Sequence, residues 1–167
     1  QIHENVKLGF GLATGAPDPI STDQTLDGGF SSKGVGLNLA YIELSAARWD
    51  FLSFQLGKFK NPFFTPGGTE LIWDSDLNPE GFLVLIDKDW DGVKLFSEYG
   101  TFWIEENAVG DDIILAAAQL GISLSLTEML DLSLGTSYYD YGNIDGSAPV
   151  FDPTDASGNS TSAAGTY

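Results

Sequence analysis

The chain has 167 residues, of which 43% are hydrophobic, and its 24 acidic residues against 7 basic ones give a formal net charge of −17. This length suffices for one domain with a core, and the negative charge argues against nucleic acid as a partner, because phosphates bind Lys and Arg. Cysteine is absent and the sole histidine is His3, which argues against a thiolate or multi-histidine metal site and against a Ser-His-Asp triad.

Hydrophobic residues recur along the chain with a period of two, which is typical of β-strands and not of helices. The cleanest alternation lies in 6–13, 113–126 and 130–138, where one face carries large apolar residues and the other carries mostly small or polar ones. Four further stretches alternate less regularly. Seven strands are therefore predicted, at 6–13, 36–44, 51–60, 81–87, 92–105, 113–126 and 130–138.

The links between these strands alternate in length, as they do in outer-membrane barrels with long outer loops and short periplasmic turns. Long links fall at one end of the predicted hairpins and short turns at the other, which indicates an antiparallel up-and-down meander. The long or intermediate links are 14–35, 61–80, 106–111 and 143–167, and the short turns are 45–50, 88–91 and 127–129.

The predicted fold class is all-β. We expect an antiparallel up-and-down meander of about seven strands that forms part of a transmembrane β-barrel. Residues 1–167 are treated as a single domain, with strands over about 6–142 and a long loop-like tail over 143–167.

The four tryptophans fall at two levels of the predicted barrel. Trp49 and Trp90 lie at short turns, whereas Trp73 and Trp103 lie toward the long links. Membrane-spanning barrels carry such aromatic girdles at both interfaces, although aromatic residues also favour strands in general. All four are candidate anchors at the membrane interfaces.

Residues 87–98, DKDWDGVKLFSE, match every fixed position of the EF-hand calcium loop. An EF-hand needs helices on both sides, but both flanks favour strands, and Glu98 would lie roughly 20 Å from Asp91 along a strand. The stretch therefore predicts a tight hairpin whose turn is the Asp-Gly pair. A loosely held calcium ion on Asp87, Asp89 and Asp91, without Glu98, stays open as an alternative.

Seven short stretches in chain order carry a family resemblance: LGFGLATG (8–15), LNLAYIEL (37–44), LGKFKNPFF (56–64), LIWDSDLNPEG (71–81), FWIEEN (102–107), AAQLG (117–121) and SYYDY (137–141). Together they resemble the putative porin family of Gram-negative outer membranes. The resemblance implies a transmembrane β-barrel that forms a diffusion channel, surrounded by outer-membrane lipid and without enzymatic activity. By analogy with other porins, it also implies a homo-oligomer, specifically a trimer.

The length of the chain departs from that family. Members of the family are longer, and their barrels need more strands than the seven predicted here, in an even number. We therefore expect this sequence to be an internal piece, or one part, of a longer barrel. No cofactor is predicted.

The second long link concentrates carboxylates in the sequence DSDLNPEG. If this link folds inward, Asp74, Asp76 and Glu80 would narrow the lumen and disfavour anions. Lys58 and Lys60, opposite them, would then set a transverse field across the constriction. The sequence therefore predicts these five side chains as constriction candidates.

The same stretch allows two other interpretations. Asp74, Asp76 and Asn78 are spaced like the start of a calcium loop, although Pro79 replaces the glycine that the sharp turn needs. Alternatively, Asp and Asn side chains bond their own backbone and form a rigid turn before Pro79. Both interpretations stay open beside the constriction.

Lysines on or beside strands are candidates for lining the lumen, because a charge on the lipid face at mid-depth costs about 2–4 kcal/mol. Lys7 shares a face with small residues and is expected in the lumen, as is Gln119. Lys94 is expected in the lumen or at an interface. Lys58 and Lys60 share parity with apolar residues, so that lumen and interface both stay open for them.

Two other functions stay open. A soluble lipocalin-like barrel would bind a small apolar ligand with its apolar faces inward. Its solvated exterior would be rich in Lys and Glu, whereas the second face here is small in character. A calcium-dependent surface β protein would make use of the acidity. Nothing selects a catalytic pair among so many carboxylates, so we predict that the protein is not an enzyme.

Overall fold

The computed structural model describes residues 4–15, 19, 21–23, 28–156 and 159–167, and His3 lies outside them. All seven predicted strands are present, and the only helical element of the described residues is a single 3₁₀ turn, Pro66–Gly68. The strands are β1 (Val6–Ala13), β2 (Gly36–Ser45), β3 (Leu52–Lys58), β4 (Glu80–Trp90), β5 (Val93–Glu105), β6 (Ile113–Thr127) and β7 (Leu130–Gly142).

The strands form one antiparallel sheet in the order β1-β2-β3-β4-β5-β6-β7, which confirms the predicted up-and-down meander. Within the described residues the sheet is not closed, and β1 and β7 are its two edges. The long links, which include 59–79 between β3 and β4, lie at one end, and the short turns lie at the other. No helix in the described part of the chain has the length and hydropathy needed to cross a membrane.

The predicted turn over 88–91 is wrong in extent. The ladder between β4 and β5 continues to the pair Trp90–Val93, so that only Asp91 and Gly92 form the turn. Lys88 and Asp89 look like turn residues in the sequence, but they continue the alternation of β4 and lie on opposite faces of it. Gly92 adopts a φ of 82°, which a residue with a side chain rarely accepts.

The predicted end of the third strand also shifts, from residue 60 to Lys58. Gly57 has a φ of 114°, and this left-handed geometry interrupts the extended backbone just before the strand ends. Phe59, the next residue after the strand, is buried at 1% exposure. The chain therefore leaves the end of β3 and turns back over one face of the sheet.

The sheet has two faces of different character, and the strand registers define both. The inner face is the one against which the link 59–79 packs, and the outer face is the opposite one. Along the registers, the inner face carries Lys7, Gly9, Tyr41, Glu43, Gln55, Leu83, Asp87, Lys94, Glu98, Phe102, Leu115, Gln119, Ser137 and Tyr139. The outer face carries Leu8, Phe10, Ile42, Phe54, Leu56, Phe82, Val84, Tyr99, Leu120, Ile122, Leu132 and Leu134.

The buried core lies between the link 59–79 and the inner face, toward the long links. Each large apolar side chain buried there contributes about 1.5–3 kcal/mol, so this cluster holds the link against the sheet. Its buried members are Phe59, Phe63, Leu83, Phe102, Leu115 and Ala117, and Tyr41, Trp73, Leu85, Ile104 and Tyr139 pack around them.

Candidate functional site

The link 59–79 is tied at its base and folded onto the inner face. The backbone N–H of Phe59 donates to the Pro79 carbonyl at 3.0 Å, which holds the two ends of the link together. The Asn61 side chain accepts a hydrogen bond from the backbone N–H of Phe63 at 3.1 Å, which turns the chain locally. The Phe63 ring then meets Phe102 of β5 edge-on, with 5.8 Å between the ring centroids.

Gln119 of β6 binds the link through its backbone. Its Oε1 accepts a hydrogen bond from the Phe64 N–H at 2.6 Å, and its Nε2 donates to the Phe64 carbonyl at 3.0 Å. The same Nε2 donates to Ser137 Oγ of β7 at 2.8 Å. Gln119 is only 4% exposed. Its side chain therefore satisfies both polar backbone groups of Phe64 at a place where little water can reach them.

A second tie joins the link to β7. The indole Nε1 of Trp73 donates to the Tyr139 hydroxyl at 3.0 Å, and the two rings lie 5.2 Å apart in an edge arrangement. Trp73 also stacks on Phe63 at 5.6 Å. We therefore revise the expectation for Trp73, because its side chain packs into the cluster over the inner face and does not point to a surrounding membrane.

The other three tryptophans are about half exposed. Trp90 and Trp103 belong to the strand positions of the outer face, at the short-turn end and the long-link end respectively. Trp49 lies in the short link between β2 and β3. These places fit interface anchors, which remain a prediction for the three residues.

The carboxylates of the second long link bond the backbone of the links. Asp74 Oδ1 accepts a hydrogen bond from the Asp76 N–H at 2.9 Å, which is the rigid-turn interpretation of this stretch. Asp76 Oδ2 accepts from the Thr22 N–H at 3.4 Å and so connects two long links. Asn78 donates to the Asn38 side chain at 2.8 Å. Among the described residues, no three His, Cys, Asp or Glu side chains form a group that could hold a metal ion.

Lys58 and Asp76 line a common cavity of about 600 Å³ between the long links. Lys58 is paired in register with Glu80, on the side of the outer face, and its Nζ donates to the Asn78 carbonyl at 2.8 Å. Lys60 is exposed and lies beyond the end of β3. The structure thus places Lys58 near two of the predicted acidic residues, Asp76 in the same cavity and Glu80 on the neighbouring strand, with Lys58 and Glu80 on the side of the outer face.

The inner face carries ion pairs toward the short turns. Lys7 Nζ lies 3.1 Å from Glu43 Oε2, which also accepts a hydrogen bond from Gln55 Nε2 at 3.1 Å. Lys94 Nζ lies 2.8 Å from Asp87 Oδ2. The structure brings Lys7 and Lys94 to the face that also carries Gln119, and a role for these residues in lining a pore remains a prediction.

The EF-hand match forms a hairpin, as predicted. Asp87 and Glu98 are on neighbouring strands of the β4–β5 pair, with Asp87 opposite Phe96 and Glu98 opposite Leu85. Glu98 is 8% exposed on the inner face. In the sequence Glu98 stands out only as the last position of the calcium-loop match. It also shares the parity of Lys94 along β5, and this parity predicts that both side chains lie on the same face.

Comparison of the chain with known protein families gives a match that covers the whole sheet. The family described as Putative porin matches residues 1–165, and this range contains all seven strands and the link 59–79. No curated protein and no solved structure matches the chain. The family match agrees with the all-β antiparallel meander and with the contrast between an apolar and a polar face. The chain belongs to the Putative porin family.

Proposed function

We propose that this chain forms part of the wall of a porin in the outer membrane of a Gram-negative bacterium, a passive diffusion channel for small hydrophilic solutes or ions. The observation that carries the proposal is the contrast between the two faces of one sheet. Apolar side chains stand uncovered on the outer face, and charged and amide side chains occupy the inner face. A barrel wall between lipid and water has this distribution.

The exposure of the outer face supports contact with lipid. Phe10 is 72% exposed, Leu134 57% and Leu120 47%. These residues belong to a continuous apolar surface that runs across the strands. Without a surrounding apolar medium, this surface would be exposed to water. Exposed apolar area costs about 25 cal/mol per Å², so a surface of this extent favours a membrane around it.

The link 59–79 supports a narrowed lumen. It lies on the inner face and is fixed there by Gln119, by Tyr139 and by the aromatic cluster around Phe63. In a closed barrel of this polarity the inner face surrounds the channel, and a link bound to that face reduces its cross-section. The constriction therefore combines a fixed segment of the chain with the wall behind it.

The lipocalin-like alternative has less support. It would place the apolar rows inside, around a ligand, and the polar rows outside. Lys7, Glu98 and Gln119 instead share the face that carries the folded link. The calcium-dependent alternative lacks a suitable cluster among the described residues. A homo-oligomer, trimeric by analogy with other porins, stays a proposal.

Reconstitution of the full-length protein tests the channel. We expect the protein extracted from membranes to need detergent to stay monodisperse, and to give stepwise ionic conductance in a planar bilayer. A matched preparation from cells without the gene controls for contaminating porins. Monodispersity without detergent, together with binding of a small apolar ligand, would refute the channel and favour the lipocalin-like alternative.

A further inference from the structure

The charges around Lys94 on the inner face do not balance. Its Nζ lies 2.8 Å from Asp87 Oδ2, and Asp89 is its register partner on β4. Glu98 follows on the same face of β5, and both Asp87 and Lys94 act electrostatically on its carboxylate. One ammonium group therefore faces three carboxylates in this part of the inner face, which leaves an excess of negative charge.

Glu98 is the buried member of this group. Its side chain is 8% exposed, and Oε2 is buried without a hydrogen-bond partner among the described residues. An ionised carboxylate removed from water without a partner is strongly disfavoured, and it is stabilised when a positive charge enters beside it. The charge of this carboxylate is therefore balanced either by a proton or by a cation that enters beside it, and the test below distinguishes the two.

Glu98 lies where the link meets the wall. On β6 its register partner is Gln119, whose side chain binds the backbone of Phe64. Phe96, two residues before Glu98 on the same face, has its ring 5.2 Å from the ring of Phe64. Two neighbours of Glu98 thus contact the same residue of the link, so the carboxylate lies beside the constriction proposed above.

We propose that Glu98 and Asp87 form a subsite for a small monovalent cation beside the link 59–79, with Lys94 as the resident charge that keeps its binding weak. The inference deepens the proposed channel and rests on it, since it names cations as the solutes that the inner face favours. Two carboxylates are few for a divalent metal ion, which takes six or more oxygen ligands.

Lys94 gives the subsite the property that permeation requires. A site in a channel has to attract an ion strongly enough for entry and release it fast enough for conduction. Lys94 already neutralises part of the charge of Asp87, so an entering cation competes with Lys94 for that carboxylate. Removal of Lys94 strengthens the attraction for cations, and removal of the Glu98 charge weakens it.

The experiment measures reversal potentials of the full-length protein in a planar bilayer under a KCl gradient at pH 8. Glu98→Gln is expected to lower the ratio of cation to anion permeability by about threefold or more, and Lys94→Met is expected to raise it. Asp140→Asn is the matched control. Asp140 lies on the outer-face side of β7, and its substitution removes the same single negative charge. The ratio of cation to anion permeability in this control variant should equal that of the wild type.

The outcomes separate the subsite from the channel. If the wild-type protein does not conduct, the proposed function itself fails. If it conducts and Glu98→Gln leaves the ratio unchanged, or both variants shift it in the same direction, the subsite fails and the channel stands. The subsite also fails if Glu98→Gln alters only the pH profile and not the ratio at pH 8, because Glu98 would then hold a proton and not a cation.

Discussion

The side chain of Gln119 forms hydrogen bonds with both backbone groups of Phe64, at 2.6 and 3.0 Å, across 55 positions of the chain. An amide side chain offers both a donor and an acceptor, which lets one residue replace a pair of ladder bonds. The link 59–79 is therefore fastened to the middle of the sheet by a contact that depends on one residue.

Replacement of this residue should loosen the link near Phe64, while the aromatic cluster and the Trp73–Tyr139 contact still hold the rest of it. Gln119→Leu leaves the partly buried N–H and carbonyl of Phe64 without these partners, at a cost of up to about 1–3 kcal/mol for each group. We expect a lower melting temperature and a larger or noisier single-channel conductance. Gln55→Leu is the control, because Gln55 is also on the inner face but bonds Glu43 and not the link. Equal conductance changes in both variants would contradict the role given to Gln119.

Two neighbouring glycines on the inner face should respond differently to a methyl group. A Cβ on Gly121 would overlap the ring of Phe96, whereas a Cβ on Gly135 would meet Phe64 Cδ1 at 3.4 Å, an ordinary contact. Gly121→Ala therefore displaces Phe96 and should destabilise the protein by about 1–3 kcal/mol, as overpacking does. Gly135→Ala should be tolerated. Denaturant unfolding in detergent compares the two, and equal stabilities would be inconsistent with this packing.

A charge should be tolerated on one face of β6 and not on the other. Leu120→Arg places a cation in the middle of the apolar outer face, at a cost of about 2–4 kcal/mol in a bilayer. Ser123→Arg places the same group on the inner face of the same strand. We expect poor membrane assembly of the first variant only, measured as the folded fraction in lipid vesicles. The opposite order would support a soluble barrel with an apolar interior.

The exposed pair Asp50–Lys88 gives a pH-dependent prediction outside the strand core. The hydrogen bond from Lys88 Nζ, at 2.9 Å, lowers the pKa of Asp50 below its ordinary value. The folded state thus binds this proton less readily than the unfolded chain. The small stabilisation from the pair is present above the ordinary Asp pKa and is lost as pH falls through the lowered one.

Titration of the Asp50 carboxyl carbon by NMR in detergent measures this effect. Lys88→Met should raise the midpoint toward the value of a free aspartate. Lys33→Met, in the link between β1 and β2, should leave the midpoint where it is. A wild-type midpoint at or above the ordinary value would show that the pair does not form in solution.

The strands could be predicted from the sequence because a two-residue period reports local geometry. Over most of β6 and β7 a large apolar residue alternates with a small or polar one, and this pattern is visible without knowledge of the neighbouring strands. The end of β4 was missed because Lys88 and Asp89 have poor strand propensity, and the pairing with β5 overrides that propensity.

The site could be predicted only in part. The parity of Lys7 and Gln119 placed both on the polar face, but parity does not tell what covers them. The contacts of Phe64 and Trp73 with β6 and β7 join residues more than 50 positions apart, and they depend on shape. No local pattern distinguishes an aromatic residue that faces lipid from one that folds inward, which is why Trp73 was expected at an interface.

The separation of these contacts along the chain orders the assembly of the protein. Hairpins with a short turn, such as the one at Asp91-Gly92, pair residues that are close in the chain, whereas the contacts of the link with Gln119 and Tyr139 require that β6 and β7 are already in place. The link stays tied at its own base meanwhile, through Phe59 and Pro79. Phe59 and Phe63 can pack on Leu83 and Phe102 once β4 and β5 have formed. The hydrogen bonds with Gln119 and Tyr139 complete the attachment of the link only after β6 and β7 have joined the sheet.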